Sequence, residues 1–293
     1  MIASSECLKV SVGGLVMSAR LDRLPHRLGA EDHFAPFLTD GEADMDLIFQ
    51  PGVSGRRGRL IFDSGGVWSL HEEHDGRLRC DLSAPLFGPD PYAQALIEPD
   101  LGAAAVFLRT TRGHEVGGTL YPFIYPLDEI LFIGLLGRRG GLHLHSAGID
   151  DGGSGLLFPG VSGAGKSTLS KLWVREGKAR VLSDDRTIIR VENGSPRIFG
   201  SPWHGEAGLS CQGSVPLRGI FFLRQAHKNE AIPMRPAEAA AELVARAFPA
   251  YWDEASVSSA LEIAAWVADV VPAFRLCFRP DEGALIAARE AVR

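Results

Sequence analysis

Cysteine is scarce in this sequence. Cys7, Cys80, Cys211 and Cys277 lie far apart with no CxxC among them, and they read as reduced thiols in a cytoplasmic protein. No uninterrupted apolar run reaches the length of a membrane span, so no membrane span is expected. The opening "MIASSECLKVSVGG" lacks the basic and long apolar segments of a secretion signal. Excess positive charge is absent too. A net charge of −6 and a pI near 5.9 argue against a chain that coats nucleic acid or an anionic membrane by charge alone. There is no internal repeat and no low-complexity linker. What is present is a core: 45% of the 293 residues are hydrophobic, which excludes wholesale disorder and suits more than one average domain.

The first part of the chain carries strand patterns. "DLIFQPG" and "GRLIFDSGG" are short apolar runs closed by turn residues. "VWSLHEEHDGRLRCDL" places Asp75-Gly76 between two alternating arms, a hairpin signal. "AAAVFLRTTRGHEVGGTLYPF" reads as a further pair of strands, and "APLFGPDPYAQ" as a loop. The period changes at "YPLDEILFIGLLGRRGG", where Leu127, Ile130, Leu131 and Leu135 recur at helical spacing. The order then becomes strand 142–149, strand 156–159, glycine loop, helix 166–176 and strand 179–183. Strands in "RTIIRVENG", "SPRIFGSP" and "LRGIFFLRQ" follow, and then a helical tail holding one strand, "AFRLCFRP". Trp252 and Trp266 in that tail read as core packing. The expected organisation is a β-rich region over 1–125 and an α/β nucleotide-binding domain over 126–293.

The glycine loop carries the first chemistry. Gly160, Val161, Ser162, Gly163, Ala164, Gly165, Lys166 and Ser167 fit G-x-x-x-x-G-K-[ST] at every fixed position, and Thr168 continues into the helix. An apolar strand enters the loop and a helix leaves it. The glycines let successive backbone N–H groups turn inward, where they and the helix N-terminus cradle phosphate oxygens. Lys166 is then expected at the β- and γ-phosphates, and the Ser167 hydroxyl on Mg²⁺.

"ARVLSDD" ends the next strand. A strand–loop–helix–strand unit brings that strand's carboxyl end to the same sheet edge as the loop. Asp184 and Asp185 therefore arrive beside the phosphates, one to orient Mg²⁺ and one to take a proton from an attacking hydroxyl. The bland alternative is an acidic turn that caps the next element.

His143 and His145 share one face of their strand, opposite Leu142 and Leu144. Their strand is expected to pair antiparallel with the strand that enters the loop, across the "DDGGSG" turn, which makes His145 a candidate neighbour of the γ-phosphate. The alternative is a polar strand face bonded to nearby backbone. "HEEH" at 71–74 reads as a solvated hairpin arm. In "SPWHGEAG", at 201–208, Glu206 is a candidate second Mg²⁺ ligand among glycines that invite close approach.

The run from His145 through "GVSGAGKSTLS" to "VLSDD" resembles the catalytic domain of HPr kinase/phosphorylase. More broadly it resembles the phosphoenolpyruvate carboxykinase-like P-loop fold. His145 precedes Gly160 by fifteen residues and Asp184 follows Lys166 by eighteen, the intervals of that family's histidine and aspartate. The resemblance implies an α/β mixed-sheet domain that binds ATP and Mg²⁺. His145, Lys166 and Asp184 would be catalytic, with Asp184 as the base for serine phosphorylation. Ser167, Asp185 and Glu206 would be on the metal side, and a homo-oligomer is common in the family. The segments before residue 142 and after the acidic pair differ from that family's. The expected partner is therefore an unidentified phosphoacceptor: a serine of a protein or peptide, or the hydroxyl of a small molecule. The other expectations are a non-catalytic nucleotide-binding regulatory module and a carboxykinase-like metabolic enzyme.

Overall fold

The computed structural model of the chain describes residues 7–55 and 58–293. Residues 1–6 of the opening segment read for a secretion signal lie outside them. The chain divides into two compact units, Met1–Leu135 and Leu136–Arg293, and its fold is mixed α/β. Among the described residues no helix is long and apolar enough to cross a membrane.

The first unit is built on an eight-stranded mixed sheet. In spatial order its strands are Cys7–Val12, Leu15–Leu21, Met45–Pro51, Ala103–Leu108, Ala93–Ile97, Leu78–Leu82, Trp68–Glu72 and Arg59–Asp63. Period-two burial makes these strands: Leu8, Val10 and Val12 are buried on one, and Met45, Leu47 and Phe49 on another. Two sequence expectations are corrected here. The 103–123 stretch holds three strands rather than a single pair. Ala103–Leu108 joins the large sheet between Met45–Pro51 and Ala93–Ile97, while Glu115–Val116 and Thr119–Leu120 form a small sheet with Arg27–Leu28. The "HEEH" segment is also not uniformly solvated, because His71 is buried at 6% exposure. Cross-strand pairing sets His71 opposite Arg79, whose buried guanidinium lies 2.7 Å from Glu73 and 3.2 Å from Asp81. His71 in turn lies 3.6 Å from Asp81 and 3.1 Å from Ser69. A buried cation needs paired acceptors, and these carboxylates supply them.

The second unit positions the candidate site. Its strands are β1 (Leu142–Asp151), β2 (Ser154–Pro159), β3 (Arg180–Ser183), β4 (Arg186–Glu192), β5 (Ser195–Phe199), β6 (Ser214–Gln225), β7 (Glu230–Pro233) and β8 (Ala273–Phe278). Its helices include α1 (Lys166–Glu176), α2 (Pro236–Val244), α3 (Glu254–Val270) and α4 (Gly283–Ala291). β1 pairs antiparallel with β2 across the Gly152-Gly153 turn, as the sequence suggests. β3 does not neighbour β2. Both are antiparallel to β1, which runs between them, so β2 and β3 point the same way and end at the same edge. β6 pairs parallel with β2 and with β8, so the carboxyl ends of β2, β6 and β8 share that edge as well.

Alternation on β1 and β2 divides the core in two. Leu142, Leu144 and Leu157 join a cluster under α2 and α3, with Ile189, Ile198, Leu243 and Val267. Ala147, Ile149, Leu156 and Phe158 join a cluster under α1 and α4, with Leu169, Trp173 and Leu285. Burying a side chain such as Leu or Phe contributes about 1.5–3 kcal/mol, so covering both faces with helices makes a sheet with two apolar sides stable. His143 and His145 share the parity of Ala147 and Ile149, and therefore face the side of the sheet that carries α1.

Candidate functional site

The glycine loop is shaped by conformations that only glycine adopts easily. Gly163 has φ +78° and Gly165 has φ +107°, both in the left-handed region. A Cβ on Gly165 would also meet the Phe278 ring at 2.5 Å. The chain then enters α1 at Lys166, and the Leu169 N–H donates to the Gly165 carbonyl at 2.9 Å. At the far end Gly177 turns left-handed and its N–H reaches the carbonyls of Trp173 and Val174, closing the helix. Val161, Ser162 and Gly163 are exposed at the tip, whereas Lys166 is buried.

Lys166 folds back along its own loop. Its ammonium donates to the Gly160 carbonyl at 2.9 Å and to His145 Nε2 at 2.7 Å. It also lies 3.6 Å from Asp185 Oδ1. Burial pushes the Lys166 amine below its usual value, and the Asp185 carboxylate partly opposes that. His145 is held at both ends of its backbone: its N–H donates to Arg246 O at 2.8 Å, and its carbonyl accepts from Gly160 N at 3.1 Å. These bonds fix the ring beside the loop.

The two aspartates have different surroundings. Asp185 Oδ1 lies 2.9 Å from His145 Nε2, and Oδ2 pairs with Arg186. Burial alone would raise the Asp185 pKa, but His145, Arg186 and Lys166 outweigh it and hold the carboxyl down to about 2. Asp184 is fully buried and faces the other way. Its Oδ1 accepts from Gly205 N at 2.8 Å and Leu209 N at 3.4 Å. Its Oδ2 accepts from Ala207 N at 3.0 Å and from the Ser167 hydroxyl at 3.2 Å. Asp184 therefore ties the 205–209 loop to the start of α1.

The structure thus brings His145, Lys166 and Asp185 into one cluster and Ser167 with Asp184 into an adjoining one. Thr168 is exposed on the first turn of α1. Glu206 does not join either cluster; it is exposed, with no hydrogen bond or ion pair among the described residues. Among the described residues no group of three or more His, Cys, Asp or Glu side chains gathers as a metal site. His143 is buried against the rings of Trp203 and Phe248, at 5.3 and 5.6 Å between centroids. Burial, helped by the nearby Arg186, lowers its pKa to about 3, so it is neutral at physiological pH. Trp252 and Trp266 are both half-buried, and Trp266 packs against the α2–α3 core cluster.

Sequence reasoning missed two contributors. Arg186 pairs with Asp185 and lies over the Phe248 ring at 4.6 Å. The segment 246–248 bridges β1 through Leu144 and Ala247, and Phe248 N donates to His143 O at 2.8 Å. Arg186 stands directly after the acidic pair, so its charge was a readable signal. The 246–248 bridge had none, because it closes over a separation of about a hundred residues.

A family model described as "SynChlorMet cassette protein ScmC" matches residues 130–276, half of the chain. No curated protein matches the chain. Among solved structures the chain is similar to the Hpr(Ser) kinase/phosphatase from Coxiella burnetii. That similarity runs at 13% identity over 50% of this chain and 88% of that one, with a TM-score of 0.32.

Proposed function

The chain belongs to the ScmC family, whose description names a cassette protein and no reaction, and we propose that its reaction is ATP- and Mg²⁺-dependent phosphoryl transfer to a hydroxyl. The observation that carries this reading is the convergence of an imidazole, an ammonium and a carboxylate, His145, Lys166 and Asp185, at the mouth of a loop with the phosphate-binding pattern. The loop suits phosphate oxygens: Gly163 and Gly165 are left-handed and carry no side chain, and the tip over Val161–Gly163 is exposed. The donor set fits Mg²⁺ as well. Ser167 would offer a hard hydroxyl oxygen, held by the buried Asp184 carboxylate behind it, and Mg²⁺ in phosphoryl transfer needs few protein ligands beside phosphates and water. When bound, Mg²⁺ would neutralise charge on the phosphates.

The surroundings of the aspartates favour exchanging the roles suggested by spacing. Asp184 already sits on the Ser167 hydroxyl, so it belongs on the metal side. Asp185, ionised and beside His145, receives the acceptor hydroxyl. The bond from the γ-phosphorus to the β-phosphate oxygen breaks, a bond to the acceptor oxygen forms, and the hydroxyl proton passes to the Asp185–His145 pair. A loose transition state demands orientation of the hydroxyl more than a strong base, so an ionised carboxylate of low pKa suffices. Glu206 would enter only if the 205–209 loop moves. The acceptor is a serine on a protein or peptide, or a small-molecule hydroxyl.

The test is transfer of label from γ-labelled ATP into extract proteins and small molecules. Asp185→Asn is expected to keep ATP affinity within a few-fold and to lower transfer by 10²-fold or more, the order that general base catalysis contributes. Parent-like transfer by that variant would remove the assignment. ATP binding by the parent without any transfer would leave a nucleotide-binding regulatory module.

A further inference from the structure

The first unit holds a cavity of about 720 Å³ on one face of its large sheet. Register and strand parity build its floor. Lys9 stands opposite Ser18, Ser18 stands beside Asp46, and Arg20 follows Ser18 on the same face. The alternate residues Val10, Met17 and Leu47 take the opposite, core face. Ser18 is small and only 2% exposed, so it leaves a depression between the longer side chains of Lys9, Arg20 and Asp46. A separate segment supplies a wall through His26, Arg27 and Leu28.

The charges at this cavity do not balance. Three cations, Lys9, Arg20 and Arg27, line it with one carboxylate, Asp46. Asp46 is already engaged through Oδ1, which accepts from the Ser18 hydroxyl. Lys9 donates to the Gly41 carbonyl at 2.9 Å and keeps two further donors. The Arg20 and Arg27 side chains have no hydrogen bond or ion pair among the described residues. His26 lines the same space, and its Nδ1 is buried with no hydrogen-bond partner among the described residues. Like charges gathered without counter-ions repel, and a buried polar atom without a partner is unfavourable. In a chain of net charge −6, such a gathering of uncommitted cations marks a place where an anion supplies the missing partners.

We propose that this cavity binds a small oxyanion of two negative charges, carried by phosphate or by carboxylate groups. Guanidinium forks match the paired oxygens of either group, and Lys9 adds a point charge. Three cations against one carboxylate leave two positive charges to neutralise. Leu21, Leu28 and Ala43 in the lining accommodate a short carbon body. The volume lies within the range of small-molecule sites. The cations come from three segments around one space and not along a line, so a compact ligand fits better than an extended acidic chain. Nothing here draws on the phosphate loop, whose residues belong to the second unit.

Isothermal titration of the intact chain with inorganic phosphate and, separately, with succinate tests the site. Saturable binding of at least one is expected. A preference for phosphate would mark a phosphorylated ligand, and a preference for succinate a dicarboxylate. Arg20→Gln and Arg27→Gln are each expected to weaken that binding tenfold or more, because each removes a charge-assisted fork of donors. Lys166→Met, which alters the phosphate loop, is expected to retain the binding that depends on the two arginines. Cys7 is exposed in the lining and gives a local readout. The bound anion is expected to slow its alkylation by iodoacetamide several-fold in the parent and in neither arginine variant. Binding of neither anion, or binding that both arginine variants keep at the parent's affinity, would overturn the site. Phosphate binding lost in Lys166→Met and kept in the arginine variants would also overturn it, and would assign the anion to the loop. Both arginines are exposed, so the variants are expected to melt within a few degrees of the parent, which separates a lost contact from unfolding.

Discussion

His145 Nε2 lies 2.7 Å from the Lys166 ammonium, and the same nitrogen lies 2.9 Å from Asp185 Oδ1. One ring nitrogen holds at most one proton. It therefore accepts from Lys166 or donates to Asp185, and never both at once. An anion that draws Lys166 toward the loop tip would leave the histidine to Asp185. Under the proposed function, binding of phosphate and preparation of the proton acceptor would be coupled through this single atom.

That coupling is visible without any assay of activity. Replacing Lys166 with methionine leaves only the form in which Nε2–H donates to Asp185. The ¹⁵N resonances of His145 should then shift toward a single Nε2-protonated tautomer. Identical His145 resonances in the parent and in Lys166→Met would show that the lysine does not compete for that nitrogen.

His143 should make stability depend on pH. It is buried and its folded pKa is depressed to about 3, while an exposed histidine titrates near 6.5. Its contribution is complete above the unfolded value and is lost as pH falls from about 6.5 toward about 3, because the unfolded chain binds a proton that the native state refuses. The slope reaches about 1.4 kcal/mol per pH unit for one such group. Urea unfolding of the parent between pH 7 and 5 should show it, and His143→Phe should flatten it. An unchanged slope in the variant would assign the pH dependence elsewhere.

Asp184→Asn should cost stability as well as any metal-side role. Asp184 accepts three backbone N–H groups and one hydroxyl, and an asparagine turns one acceptor into a donor facing an N–H. Leaving buried donors unmatched costs about 1–3 kcal/mol. Chemical denaturation should report a loss in that range, and hydrogen exchange should quicken at Gly205 and Ala207. Parent-like protection at those amides would mean that the loop does not depend on Asp184.

Gly165→Ala should disturb the loop and the Phe278 ring together. The added methyl meets the Phe278 ring at 2.5 Å and sits at φ +107°. Strained backbone of this kind costs about 1–3 kcal/mol. Calorimetry should show a lowered thermal midpoint, and ATP affinity should fall with it. A variant with parent stability would show that Phe278 yields easily.

Much of this site was legible in one dimension. The loop pattern, the following helix and the strand carrying the acidic pair are local, and period-two or helical burial wrote each into contiguous residues. The shared face of His143 and His145 followed from strand parity alone. The intervening position of β1, the burial of His71 and the joining of Ala103–Leu108 to the large sheet were not legible, because strand partners are chosen by contacts between distant segments.

The sequence by itself determined a glycine-cradled loop with its lysine and a following strand that ends in two adjacent aspartates, because these are set by short-range backbone chemistry, and it left His145 as a candidate neighbour. Only the tertiary structure decided how the aspartates divide. The peptide between them turns their side chains in opposite directions, so one meets the amides of the 205–209 loop and the other meets His145 and Arg186. Two neighbouring carboxylates are chemically identical in a sequence, and they become different only when folding gives them different partners.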